Sequence, residues 1–264
     1  MGGDIALTDD QKSLVKRCVT LRDGDDRAQG GFDNTVEWKP LEFDSPFVKM
    51  NMRFDEEANK KAERTVAIGK AEAEIDASAA EVSAWLWDLC SNERMRNSKE
   101  EGNPARLVVS RNGFNEMLFA TVKAFPMFIS DREFVARCVL SKDVDTGAIL
   151  IANVPANDEV DYGTKLSKVS GLSTCLYSAI PVDSNRCKLT MVQRIDVGGH
   201  IPVWLVNRQV PNVMGVVEDA RKLFDRSDEI DEEERKKVAL LMEWDAVAGR
   251  VKEVRRRACF GGGR

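Results

Sequence analysis

The sharpest pattern in the chain lies between residues 186 and 224. Along Arg186 to Val197 every second position, Cys187, Leu189, Met191, Gln193 and Ile195, falls on one face of a strand. The period then changes: Val206, Val210, Val213, Val217, Ala220 and Phe224 recur at spacings of four and three, which is one continuous apolar stripe along a helix. Between the two periods stand Gly198, Gly199, His200 and Pro202. The glycines permit backbone angles that other residues resist, and a proline near the start of a helix tolerates its missing N–H, so the junction is hinged. Pro211 lies inside the stripe, where it should kink the helix or break its first two turns off from the rest. A long, apolar, hinged helix that follows a series of strands is suited to closing over something.

Upstream, the same reading predicts a first helix capped by Thr8 and running to about Leu21, with Leu14, Val15, Cys18 and Leu21 on its apolar side. Strands follow at Val36 to Glu42, where Pro40 suggests an edge position, at Phe47 to Phe54, and at about Arg64 to Ile75. Ser78 to Glu81 is a capping box opening a helix of about three turns through Val82, Trp85, Leu86 and Leu89. Residues around Asn97 to Pro104 read as a polar loop. Ala105 to Arg111 and Phe114 to Lys123 form a hairpin about Asn112-Gly113, a favoured turn dipeptide. Three more strands are expected at Arg132 to Ser141, Ala148 to Val154 and Lys165 to Ile180. The total is about nine strands, one early helix and one long helix at the end. Two helices cannot cover so many strands laid flat, so the sheet must curl around the terminal helix; the fold class is α+β. Periodicity leaves open whether side chains fill the interior of such a curl.

Composition narrows the function classes. The chain has 264 residues, 31% of them charged, and a formal net charge of −5, which offers no whole-molecule argument for nucleic acid or anionic membrane as a partner. No apolar run approaches the roughly 18 residues needed to span a bilayer, so a cytoplasmic protein is expected. The six cysteines form no CxxC pair and read as reduced thiols, four of them in apolar patterns. His200 is the only histidine, which excludes the usual multi-histidine zinc site and leaves any Ser-His-Asp or Cys-His set dependent on one glycine-flanked residue. An enzyme would need acid–base groups inside the curl, where only Gln193, Thr121 and, depending on register, Arg137 are polar. No catalytic residue, metal or cofactor is expected.

Four segments resemble one known family, the START (steroidogenic acute regulatory protein-related lipid transfer) domains. They are Trp38-Lys39, Ile75 to Asp88, Ser130 to Val135 (SDREFV), and Lys188 to Asn207 (KLTMVQRIDVGGHIPVWLVN). The likeness runs from about residue 36 to 226 in the family's order of elements, with residues 1 to 35 before it and 227 to 264 after it. The resemblance implies a helix-grip fold, a curved antiparallel sheet wrapped around the carboxy-terminal helix with an internal hydrophobic tunnel. It also implies a non-enzymatic protein that binds one lipid and carries it between membranes, transiently at their surface. The same fold without net transfer, as a lipid-sensing or protein-interaction module, is the alternative.

If the tunnel exists, Met117, Phe119, Phe134, Cys138, Met191 and Gln193 are the expected walls. Val206, Val210, Val213, Met214 and Val217 are then the lid, with Gly198, Gly199, His200, Pro202 and Trp204 at the lid and membrane contact. Each of these residues also suits a packed core. Sterol-binding members of the family tend to carry a buried arginine six residues after the arginine of the Arg-Asp-Phe-Val motif, partnered by an acid on the preceding strand. Here Arg137 lies five residues after Arg132, Cys138 takes the expected place and Phe119 stands at the acid's position. A phospholipid or other acyl-chain lipid is therefore expected over a sterol, unless a one-residue bulge returns Arg137 to the interior. Beyond the likeness, Leu240, Trp244, Val247, Val251 and Val254 keep a four-three rhythm that suits a docked helix, a self-association seam or a membrane-surface tail.

Overall fold

The structure is a computed structural model that describes residues 6–23, 38–41, 45–54, 66–125, 129–160, 168–199 and 201–242. Two compact units divide at Phe224 and Asp225.

The first unit is built on one sheet. Its strands are β1 (Lys39–Pro40), β2 (Lys49–Phe54), β3 (Val66–Ile75), β4 (Ala105–Arg111), β5 (Glu116–Lys123), β6 (Arg132–Lys142), β7 (Ile149–Pro155), β8 (Val169–Ser170), β9 (Leu172–Pro181) and β10 (Cys187–Asp196). They pair in the order β1-β2-β3-β10-β9-β7-β6-β5-β4, all antiparallel, while β8 adds a short parallel pairing to β6. Pro40 lies in the edge strand, where its missing N–H costs the ladder nothing. The helices are α1 (Asp9–Asp23), α2 (Ala79–Trp87), α3 (Asn92–Glu100), α4 (Val203–Met214) and α5 (Val216–Leu223).

Helix α1 starts where Thr8 and Gln11 exchange backbone-to-side-chain hydrogen bonds at 3.0 and 3.2 Å. Its buried Leu14 and Cys18 seal the outer face of the sheet against Val139, Leu150, Ala152, Val154 and Leu176. The inner face is gripped by α2 over β7, β9 and β10 and by α4 and α5 over β2 and β3. Cys187, Leu189 and Met191 of β10, Val82 and Leu86 of α2, and Val206, Val210, Met214 and Val217 of α4 and α5 share this core. Gly69 of β3 makes the contact close, since a Cβ there would stand 2.8 Å from Met214 Sδ and 3.3 Å from Val210 Cγ1. Curved sheet and terminal helix together form the helix-grip fold expected from the sequence.

The structure differs from the sequence reading at four points. Helix α3 occupies much of the stretch read as a polar loop; it starts at a Ser91 cap, buries only Ser98 and so shows no apolar period. The hairpin loop spans Asn112 to Asn115, because the Asn115 carbonyl is taken by the Leu140 N–H at 2.8 Å and β5 begins only at Glu116. The stretch Lys165 to Ile180 is not one strand: β8 and β9 part at Gly171, where a Cβ would sit 2.3 Å from Phe134 Cε1. The terminal helix runs through Pro211 and is interrupted at Gly215, whose carbonyl accepts the Asp219 N–H and starts α5.

In the second unit, residues 227–242 form helix α6, with Leu240, Leu241 and Met242 exposed. Trp244, Val247, Val251, Val254 and Cys259 lie outside the described residues.

Candidate functional site

The site is the inner face of the sheet and the junction that leads into its lid. At that junction Gly198 and Gly199 both take left-handed angles, φ +67° and +65°. The Gly198 N–H donates to Asp196 Oδ1 at 2.9 Å, and a Cβ on Gly198 would meet Ser170 O at 2.5 Å. Glycine is required there by conformation and by the close passage of β8. Pro202 then precedes α4 with its carbonyl accepting the Leu205 and Val206 N–H groups. Trp204 is in the first turn of α4 by its backbone; its side chain, and the whole of His200, lie outside the described residues.

Arg132, at the start of β6, holds this junction. It is 4% exposed, its Nε donates to the Val197 carbonyl at 3.1 Å, and an Nη reaches the Gly198 carbonyl at 3.4 Å. The other Nη bonds the Ser130 carbonyl, and the guanidinium stacks 4.9 Å from the Phe125 ring. Burial pulls its pKa down and nearby Asp131 pushes it up. One cation thus pins both the last residue of the strand run and the first glycine. Its membership of the SDREFV segment was visible in the sequence; its partners are backbone carbonyls 65 and 66 residues away, which leave no mark in a residue pattern.

The expected wall and lid residues fall into two groups. Met191, Val206, Val210, Met214 and Val217 are buried together, with Phe134 and Val213 at the margin of that cluster. Met117, Phe119 and Cys138 form a second cluster with Trp87 and Leu89 near the end of α2. Gln193 stands on the inner face beside Met191, and its Nε2 donates to Ser173 Oγ at 2.7 Å.

Several interior residues were not singled out from sequence. Tyr177 of β9 is half-buried on the inner face; burial first, and then the neighbouring Cys175, push its phenol pKa well above the usual value, against the pull of Arg94 and Arg106. Arg94 stacks 4.3 Å over Trp85, and Arg106 lies 4.9 Å over Phe119 while its Nε donates to the Leu89 carbonyl at 2.6 Å. Burial pushes the Cys175 thiol well above its ordinary value and that of Cys138, already an expected wall, up to about 12, so both stay protonated and act as small apolar side chains. Asn153 of β7 completes the set and was hidden because both faces of β7 are apolar elsewhere.

Arg137 faces away from this interior. The β5–β6 register is unbroken from Glu116↔Val139 to Lys123↔Arg132, so no bulge turns it inward, and Cys138 takes the inner position. Its Nε bonds Glu116 Oε1 at 2.5 Å and an Nη bonds Asp10 Oδ2 at 2.7 Å, tying α1 to the outer face.

Among the described residues no group of three or more His, Cys, Asp or Glu side chains is placed to hold a metal, and no helix is long and apolar enough to cross a membrane. No protein-family description and no curated protein matches the sequence. Solved structures do match the fold. The human StarD13 (DLC2) lipid transfer and protein localization domain superimposes with a TM-score of 0.55 at 16% identity, over 84% of this chain and 100% of that one. A STAR-related lipid transfer protein from Xanthomonas axonopodis gives 0.55 at 20% identity, over 72% and 99%. Human StAR-related lipid transfer protein 5 gives 0.54 at 17% identity, over 81% and 99%. At these identities the likeness is one of architecture, and it agrees with the order of elements found here: the chain has the helix-grip fold of the START lipid transfer domains.

Proposed function

We propose that this protein binds a single acyl-chain lipid between its sheet and its α4–α5 lid and carries it between membranes, without catalysing a reaction on it. One observation carries the reading. Beneath the helices, Phe134, Ala136, Asn153, Tyr177 and Gln193 keep accessible surface on the gripped face, whereas Val139, Leu150, Ala152, Val154 and Leu176 under α1 are buried. That accessible surface is what a bound acyl chain would cover, and the fold is shared with proteins named for lipid transfer.

The energetics suit a carrier. Exposing each buried methylene costs about 0.8 kcal/mol, so a 16-carbon chain in water costs roughly 13 kcal/mol. An apolar interior removes most of that cost in transit, provided the lid opens at a membrane and shuts in water. The two left-handed glycines before α4 and the break at Gly215 supply places for such movement. A phospholipid or similar lipid suits the interior better than a sterol, since the charged pair Arg137–Glu116 faces outward.

Native mass spectrometry after incubation with mixed liposomes tests the binding, and should show protein plus one lipid. A chain that stays empty across phospholipids, ceramides, fatty acids and sterols refutes the carrier. Net movement of labelled lipid from donor to acceptor vesicles separates carriage from lipid sensing.

A further inference from the structure

One rung of the sheet crosses the gripped face through its middle. Met117 of β5 pairs with Cys138, Cys138 with Asn153, Asn153 with Cys175, Cys175 with Gln193, and Gln193 with Gly69. Directly paired residues of antiparallel strands project to the same face, so these side chains form a single row inward. At one end the row runs under the lid, where a Cβ on Gly69 would meet Met214 and Val210. Toward its centre stand two primary amides on either side of one thiol.

Those two amides are the only members of the row with strong hydrogen-bonding atoms, and both are left short. Asn153 Oδ1 and Gln193 Oε1 are buried and have no donor among the described residues, while Gln193 Nε2 is held by Ser173. A buried acceptor without a donor costs about 1–3 kcal/mol, and a structure with two such atoms in one rung carries that cost twice. Both residues nonetheless keep some accessible surface. The last torsion of an Asn or Gln is broad, so a small turn brings each amide to a molecule lying against it. The row is uncharged from Met117 to Gly69, its two thiols being held protonated by burial. An ammonium seated there would be a buried charge with no carboxylate in the row to face it, whereas a hydroxyl or an amide N–H needs only the acceptors that are present.

We propose that the Asn153–Cys175–Gln193 rung is the head-binding subsite of the interior, and that it selects a lipid whose head carries a neutral hydrogen-bond donor, a hydroxyl or an amide N–H. The inference rests on the carrier reading and adds to it the chemical class of the cargo. The acyl chains then run along the apolar clusters to either side, around Met191 and Met214 and around Met117 and Phe119. Donor-free lipids of equal chain length fit the same space but leave both amide oxygens unanswered.

A matched ligand pair isolates the donor. The full chain is incubated with phosphatidylcholine vesicles containing either 1,2-dioleoylglycerol or its 3-O-methyl ether, which differ by one O–H, and protein-bound lipid is quantified by mass spectrometry. Uptake of the free alcohol at tenfold or more over the ether is expected. Asn153→Leu with Gln193→Leu should bring the ratio within about twofold. If that double variant does not fold, Gln193→Met alone should lower the ratio at least threefold. Equal uptake of the two lipids by the wild-type chain, preference for the ether or for phosphatidylcholine, or a ratio untouched by the substitutions overturns the proposal while the carrier reading stands. No uptake of any of the three lipids overturns both.

Discussion

Arg132 Nε donates to the Val197 carbonyl at 3.1 Å, so the start of β6 is locked to the residue that follows β10, just before the chain turns into its lid. Lysine keeps the charge but carries it as a single compact ammonium, which cannot reach the three carbonyls that the guanidinium serves. Arg132→Lys should cost about 2–3 kcal/mol in urea unfolding, the scale of a buried hydrogen bond to a charged group. Amide exchange at Gly198 to Val206 should rise more than at β7. Equal changes at both places would mean that Arg132 supports the fold in general and not the lid junction.

What the sequence disclosed and what it hid divide along physical lines. The change of period between Ile195 and Val206 is local and repeats at every second or every third to fourth residue, so β10, α4 and the glycine pair were legible, as were the Thr8 and Ser78 caps. The grip of Arg132 was not, since a backbone carbonyl has no residue type. Helix α3 was missed because Met95 is the one large apolar residue in NERMRNSKE, and a helix lying on the surface needs no stripe. Asn153 had a readable signal: in ILIANVP it shares a parity with Ile149 and Ile151 and breaks it with an amide, but the apolar run on both parities masked the alternation. Pro211 does not break the helix, since a helix can lose one N–H and continue; the interruption falls four residues later, at Gly215.

A second prediction concerns acid. Burial pushes the Glu116 carboxyl up, but the Gln11 amide and the Arg137 guanidinium outweigh it, and its pKa lies below the ordinary 4.5. A carboxylate with a lowered folded pKa contributes stability that is present above its unfolded pKa and lost as pH falls through the folded one. Glu116→Gln should therefore destabilise the chain by about 2 kcal/mol at pH 7, and the gap to wild type should close as pH drops below about 4.5. The other lowered carboxylates, Glu72, Glu101, Asp143 and Asp183, are common to both proteins and cancel in the difference. Urea midpoints measured from pH 7 to pH 3 provide the check; a gap independent of pH would refute the assignment.

The outward direction of Arg137 separates stability from cargo. Its partners, Glu116 and Asp10, lie on the α1 side of the sheet. Arg137→Ala should lower stability by about 1–3 kcal/mol, since it strands the buried Glu116, yet leave phosphatidylcholine uptake from vesicles within twofold. With 1,2-dioleoylglycerol and cholesterol both present in the vesicles, the wild-type chain should take up the acyl-chain alcohol in preference to the sterol. Saturable, preferential cholesterol uptake that Arg137→Ala abolishes would put the side chain inside and defeat the register argument.

The two glycines of the junction should answer differently to the same methyl group. Both hold left-handed angles, where an L-residue costs about 1–2 kcal/mol. At Gly199 that is nearly the whole cost, because a Cβ there meets only Arg132 Nη2, at an ordinary 3.7 Å. At Gly198 the Cβ would stand 2.5 Å from Ser170 O, a backbone atom of β8 held by pairing with β6, so the junction or β8 itself must shift. Gly199→Ala should then lose about 1–2 kcal/mol with lipid exchange between vesicles close to wild type at a temperature where both are folded. Gly198→Ala should lose at least about 3 kcal/mol and change the exchange rate severalfold beyond what its melting temperature explains, since the displaced backbone carries the two carbonyls that Arg132 holds. Equal losses at the two positions would show that β8 yields to the methyl group, and that the junction is set by its dihedral angles alone.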